Sequence, residues 1–178
     1  MLMFPKDHYL SYAHLAESEF RIFAEHYTAH KKMLTDRFGS VIAFEHGPMS
    51  QSAMGGACTD HAHVHFVPSV DGDLQEVIEQ RLARFFQGMD YPGGREISDL
   101  TEIREQADRE APYIFFEDQR NRRWVFDVVG DLPCQFMRRV IAESVGVSDE
   151  WDWMGCPRQE VFVETVDAVT EVLDGEVA

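Results

Sequence analysis

Positive charge is scarce in this chain: 16 Lys and Arg stand against 32 Asp and Glu, for a net charge of -16. Such a surface repels the backbone of nucleic acids and anionic membranes, which argues against a nucleic acid polymer as partner. A local His and Arg cluster still leaves room for a small anionic ligand. Long apolar runs are also missing. No stretch reaches the roughly 18 residues that suggest a membrane span, and Met1 to Pro5 is too short for a signal-peptide core. The expectation is a soluble cytoplasmic protein with no membrane partner. Cysteine is sparse, and Cys58, Cys134 and Cys156 are odd in number, widely spaced and without a C-x-x-C pair. That pattern suggests neither a disulfide framework nor a zinc knuckle, and fits free thiols in a reducing compartment.

What is present is a globular composition, 44% hydrophobic and 12% aromatic over 178 residues. This is enough for one domain that buries roughly 70% of its unfolded surface. Glu17 to Phe38 sets Phe20, Phe23, Ala24, Tyr27, Leu34 and Phe38 mostly on one helical face, with Gly39 closing it. Val41 to Phe44 reads as a strand before a loop rich in Gly and Ser from Glu45 to Cys58. Asp73 to Gly88 forms a second amphipathic pattern, with Leu74, Val77, Ile78, Leu82, Phe85 and Phe86 expected inward. Tyr91 to Arg95 reads as a turn, and Asp99 to Ala107 as a charged, exposed helix. Tyr113 to Phe116 and Trp124 to Val128 suggest a β-hairpin, and Gln135 to Val145 and Pro157 to Leu173 two more helices. No linker long enough to divide the chain is visible, so residues 1–178 are expected to form one domain.

The densest chemical signal is His61-Ala62-His63-Val64-His65-Phe66-Val67. With 8 His in the chain, chance would fill a given H-x-H-x-H pattern in roughly 2% of such chains. In an extended run ending at Pro68, residues two apart share a face, so His61, His63 and His65 are expected to project together opposite a hydrocarbon face. Crowded imidazoles discourage one another's protonation, which keeps one neutral and nucleophilic near pH 7. Two other readings stand beside this one. The histidines could decorate a solvent face, or supply metal ligands completed by Asp60, Glu45 or His46.

These residues match the His-φ-His-φ-His-φ-φ signature of the histidine triad (HIT) superfamily of nucleotide hydrolases and transferases. Pro5-Lys6-Asp7-His8 resembles that family's Pro-Lys-x-His segment. Phe44-Glu45-His46-Gly47 with Gly55-Gly56-Ala57-Cys58-Thr59-Asp60-His61 resembles a bacterial branch of HIT-like proteins, as do Gln135-Phe136-Met137-Arg138-Arg139 and Trp151-Asp152-Trp153 in its C-terminal extension. The resemblance implies an α+β fold with a meandering antiparallel sheet and flanking helices, a HIT core over residues 1–70 and a helical C-terminal extension over 71–178. It implies phosphate transfer at the α-phosphorus through a nucleotidyl-histidine on His63, with His61 and His65 orienting it, binding phosphate oxygens or handling the leaving-group proton, and His8 in support. Cys58, Gly56, Asp60, Gln135 and Arg138 become the substrate-binding set. No metal or other cofactor is required, the substrate is a small nucleotide or phosphorylated compound, and a homodimer is expected. The chain departs from the family in two ways. Met1 stands where relatives have already completed their opening strands, so the sheet is expected to be N-terminally shortened. Ala57 and Cys58 replace the Gln and Ser common in relatives, leaving backbone N–H groups or an Arg to support the transition state.

Beyond this motif, Arg138 and Arg139 read either as phosphate-binding groups or as a solvated basic patch, and Trp151 and Trp153 as base-stacking rings or a plug for the core. Cys134 and Cys156 read as structural thiols. His14, His26 and His30 read as surface residues.

Overall fold

Aromatic residues three and four apart build the longest element, α1 (Glu17–Phe38), which buries Phe20, Phe23, Tyr27 and Leu34. Glu19 starts it by accepting the Ala16 N–H at 3.1 Å. The positive φ of Gly39 ends it, with the Gly39 N–H donating to the Thr35 carbonyl at 2.9 Å. The computed structural model describes residues 1–52, 54–68, 72–152 and 154–175, without the side chains of 172–175. The remaining helices are α2 (Leu74–Phe85), the single turn α3 (Glu105–Asp108), α4 (Phe136–Ser144) and α5 (Gln159–Gly175), with short 3₁₀ turns at Tyr12–His14 and Leu100–Arg104. None is long and apolar enough to cross a membrane.

The strands are β1 (Leu2–Met3), β2 (Val41–Gly47), β3 (Val64–Pro68), β4 (Gly94–Ile97), β5 (Tyr113–Glu117) and β6 (Arg123–Asp127). They form one open antiparallel sheet in the order β1-β3-β2-β5-β6-β4, so the protein is α+β. The order is not a plain meander. Only β2 with β3 and β5 with β6 are neighbours in both sequence and sheet, whereas β1 and β4 are added at the two edges. The sheet takes strands from both sides of residue 70.

Alternation along the strands sorts side chains to two faces, each covered by helices. Ala43, Val64, Phe66, Phe115 and Val125 join the core under α1. Ile42, Phe44, Ile114, Phe116 and Phe126 face the other way, against Ile78 and Leu82 of α2 and Phe136 and Met137 of α4. Each fully buried phenylalanine among these contributes about 1.5–3 kcal/mol over the exposed state.

Several sequence expectations change. The Tyr91–Arg95 turn runs into a strand, because Gly94–Ile97 finds a ladder partner in β6 and Glu79 accepts the Gly94 N–H at 2.8 Å. Phe85 is 49% exposed instead of inward, whereas Phe86 is buried as expected. The Asp99–Ala107 segment is mostly 3₁₀ and buries Leu100, Ile103 and Gln106 between charged neighbours. The predicted His61–Val67 strand begins only at Val64, since the ladder with β2 stops at Phe44↔His65. Trp153 lies outside the described residues.

Candidate functional site

The parity that buries Phe44 decides where the histidines go. His65 pairs with Phe44 across β2 and β3 and lies on the same face, and its ring stacks on the Phe44 ring at 4.4 Å and 6°. His63, two residues earlier, stays on that side with its ring 4.9 Å from His65. His46 shares the face because it lies two residues beyond Phe44 on β2. Together they line a cleft of about 650 Å³ at the sheet end, beside the start of α4.

Gly56 and Gln135 join the other walls of this cleft. The glycine loop turns through Gly55 and Gly56, both at positive φ, and a side chain at Gly56 would press on Leu132 and Phe136 at 3.3 and 3.4 Å. Its carbonyl accepts the Gln135 N–H at 3.0 Å. His46 fixes the start of α4 by accepting the Met137 N–H at Nε2 over 3.3 Å. That bond requires the proton on Nδ1, and burial holds the imidazole neutral by lowering its pKa to about 3.

The protonation pattern across the cleft follows from the hydrogen bonds. His63 Nδ1 lies 2.8 Å from the His61 carbonyl. A carbonyl only accepts, so Nδ1 carries the proton and Nε2 keeps its lone pair. Burial lowers the His63 pKa, while the bond to His61 opposes that shift. His65 is held well below the ordinary histidine range, first by burial and then by His63, His46 and Arg138. His61 turns aside, its Nε2 donating to the Pro5 carbonyl at 3.0 Å.

The cleft therefore brings together His61, His63, His65, Cys58, Gly56, Gln135 and Arg138 from the expected set. Asp60 and His8 do not line it. They face each other at 3.7 Å, half-exposed, and His8 reaches the cleft only through the His61 ring, 5.4 Å away. The two arginines part company: Arg138 lines the cleft, whereas Arg139 bonds the Cys134 carbonyl and covers the Trp151 ring at 3.4 Å. His46, Leu2 and Phe4 are additional lining residues. The strand parity of β2 carries the signal for His46. Leu2 and Phe4 carry none, since their place depends on β1 joining β3.

The free-thiol expectation is corrected for two cysteines. Cys58 and Cys134 form a disulfide with Cα atoms 5.4 Å apart, and Cys156 is the free cysteine. Seventy-six residues separate the pair, so only the approach of the glycine loop to α4 reveals it. The Cys58 sulfur has no S–H to offer a phosphate in this state. Glu45 is placed on the opposite face from the histidines, bonded to the Tyr12 N–H at 2.8 Å and the Tyr113 hydroxyl at 2.6 Å. Among the described residues, no group of three or more His, Cys, Asp or Glu is placed to share a metal ion. Compared with protein-family models and with curated proteins, the chain matches none.

Glu45 makes a measurable prediction. Burial raises its pKa to about 8, against the opposing pull of its Tyr113 and Tyr12 hydrogen bonds. A raised carboxyl pKa gives stability that is complete below the unfolded value near 4.5 and is lost as pH climbs to about 8. The Met1 amino group, lowered by burial, titrates in the opposite sense, so wild type must be compared with Glu45→Gln. Between pH 6.5 and 8.5 the variant is expected to gain roughly 2 kcal/mol relative to wild type. Urea denaturation at the two pH values checks this, and a constant difference between the proteins would refute it.

Proposed function

We propose that the chain is a HIT-like nucleotide phosphohydrolase or nucleotidyl transferase acting at an α-phosphate through a covalent intermediate on His63. The observation that carries this reading is the His63 Nδ1 to His61 carbonyl bond, which leaves the Nε2 lone pair for chemistry on a residue that lines the cleft. In the first step Nε2 attacks phosphorus, a P–N bond forms, and the bond from phosphorus to the leaving group breaks. Water or another acceptor then attacks phosphorus and the P–N bond breaks, returning neutral His63 and releasing the nucleotide.

Support for the developing negative charge comes from Arg138, which lines the cleft, and from the dipole at the start of α4. His65, its ring 4.9 Å from His63, is the group beside it for orienting phosphate oxygens and passing the leaving-group proton, while His61 acts through its carbonyl, which holds His63 Nδ1. The bridged Cys58 favours a second reading, a nucleotide-binding module without turnover, because it removes one side-chain donor from the glycine loop.

The test incubates EDTA-treated wild type and His63→Asn with nucleoside phosphoramidates and dinucleoside polyphosphates and quantifies nucleoside monophosphate. Wild type is expected to release it, and the variant to be slower by about a thousandfold or more. Equal rates would refute nucleophilic His63. Binding by a folded wild type with no release would select the binding module.

A further inference from the structure

A second recess opens beside the histidine cleft. It has a volume of about 670 Å³ and lies between β3, α4 and α5. Leu2, His65 and Arg138 line both spaces, so the recess and the cleft adjoin at these three residues. The stacked rings of His65 and Phe44 form a flat wall across the junction. Farther in, Ile141 of α4 and Val145 just past its end line the recess with Phe162 and Val166 of α5, with Trp151 under the Arg139 guanidinium.

We propose that this groove seats the base of the nucleotide whose phosphate sits at His63; the inference rests on the nucleotidyl-transfer reading and adds where the base goes and how it is recognised. Three observations choose that occupant. The groove adjoins the phosphate cleft at Leu2, His65 and Arg138, its size suits a nucleoside, and its walls are ring faces and methyl groups. Three of its polar side chains are already committed. The Thr165 and Thr170 hydroxyls donate to carbonyls of their own helix at 2.7 and 2.8 Å, and Glu150 is held by Arg158 at 2.7 Å. Base edges therefore meet few directed partners there. Recognition by stacking and burial favours any base over none and discriminates weakly between bases. Arg138 at the junction marks where the charged part of the ligand ends and the apolar part begins.

The experiment measures binding of adenosine 5′-monophosphate, guanosine 5′-monophosphate and ribose 5-phosphate by calorimetry. It uses the full chain, Val166→Gln and Phe162→Ala, both positions being solvent-accessible on α5. Wild type is expected to bind both nucleotides about tenfold more tightly than ribose 5-phosphate, with the two bases within about threefold of each other. Each variant is expected to weaken the nucleotides by about fivefold or more while leaving ribose 5-phosphate unchanged. Nucleotide binding that exceeds ribose 5-phosphate by nothing, or that both variants leave intact, overturns the base site while sparing the phosphate site. Dissociation of a wild-type dimer by the variants with unchanged nucleotide affinity would show that a second copy covers the groove, and also overturns it. Failure of wild type to bind any of the three would instead remove the nucleotide reading on which the inference rests.

Discussion

Glu117→Leu is expected to destabilise the fold by about 3–5 kcal/mol, the cost typical of breaking a buried ion pair from one side. Glu117 is 1% exposed and gathers three donors: the Tyr27 hydroxyl at 3.0 Å, the Lys31 ammonium and the Arg123 guanidinium. Lys31 is itself buried on α1 and otherwise bonds the Asp118 carbonyl at 2.9 Å. Burial lowers its pKa and Glu117 opposes that shift, so the carboxylate is the main support for the ammonium in the core. With leucine at 117, Lys31 must deprotonate, move out or remain charged without its counterion. The double variant Lys31→Met, Glu117→Leu removes both sides of this pair and is expected to recover only the share of the loss that Lys31 carries, because two apolar side chains need no mutual compensation while the Tyr27 hydroxyl and the Arg123 guanidinium still lack their acceptor. Urea denaturation of the wild type, both single variants and the double variant completes the cycle. Additive losses would refute the coupling.

Local periodicity made a large part of this molecule legible. The i, i+3, i+4 aromatic spacing from Phe20 to Leu34 locates α1, and the alternating runs at Tyr113 and Trp124 locate the hairpin of β5 and β6, because both patterns arise within a few residues. The His63 and His65 pairing on one face followed from the same period of two. Elements defined by a partner were invisible. β1 is two residues long and exists through its pairing with Val64 and His65, and β4 is hidden in a Pro and Gly segment until β6 lies beside it. His61 had the right spacing but not the right strand, since the ladder ends before it and its ring turns to Pro5. The burial of Lys31 on α1 carries no local signal, because the acid that holds it in the core is 86 residues away. The second recess depends on α5 lying across from α4, which no pattern within either helix encodes.

Reduction of the Cys58–Cys134 bridge is expected to remove about 4 kcal/mol of stability and lower the melting temperature by about 10 °C. The 76-residue separation makes the cross-link a strong restriction on the unfolded chain, and this loop-entropy contribution depends only slowly on length. In the reaction a dithiol is oxidised to its cyclic disulfide while the protein gains two thiols, so electrons and protons balance. Thiol titration of the oxidised protein under denaturing conditions is expected to find Cys156 alone, and the reduced protein to show three thiols. The bridge also joins two cleft walls, the loop carrying Gly56 and the start of α4 carrying Gln135 and Arg138. After reduction, the Gln135 N–H to Gly56 carbonyl bond and the His46 anchor on Met137 still hold those walls together. The stability loss should therefore exceed the change in ligand affinity, and Cys58→Ser with Cys134→Ser should reproduce it without any reductant. An unchanged melting temperature in that double variant, or three reactive thiols in protein purified without reductant, would mean that the two cysteines approach without forming a stabilising link.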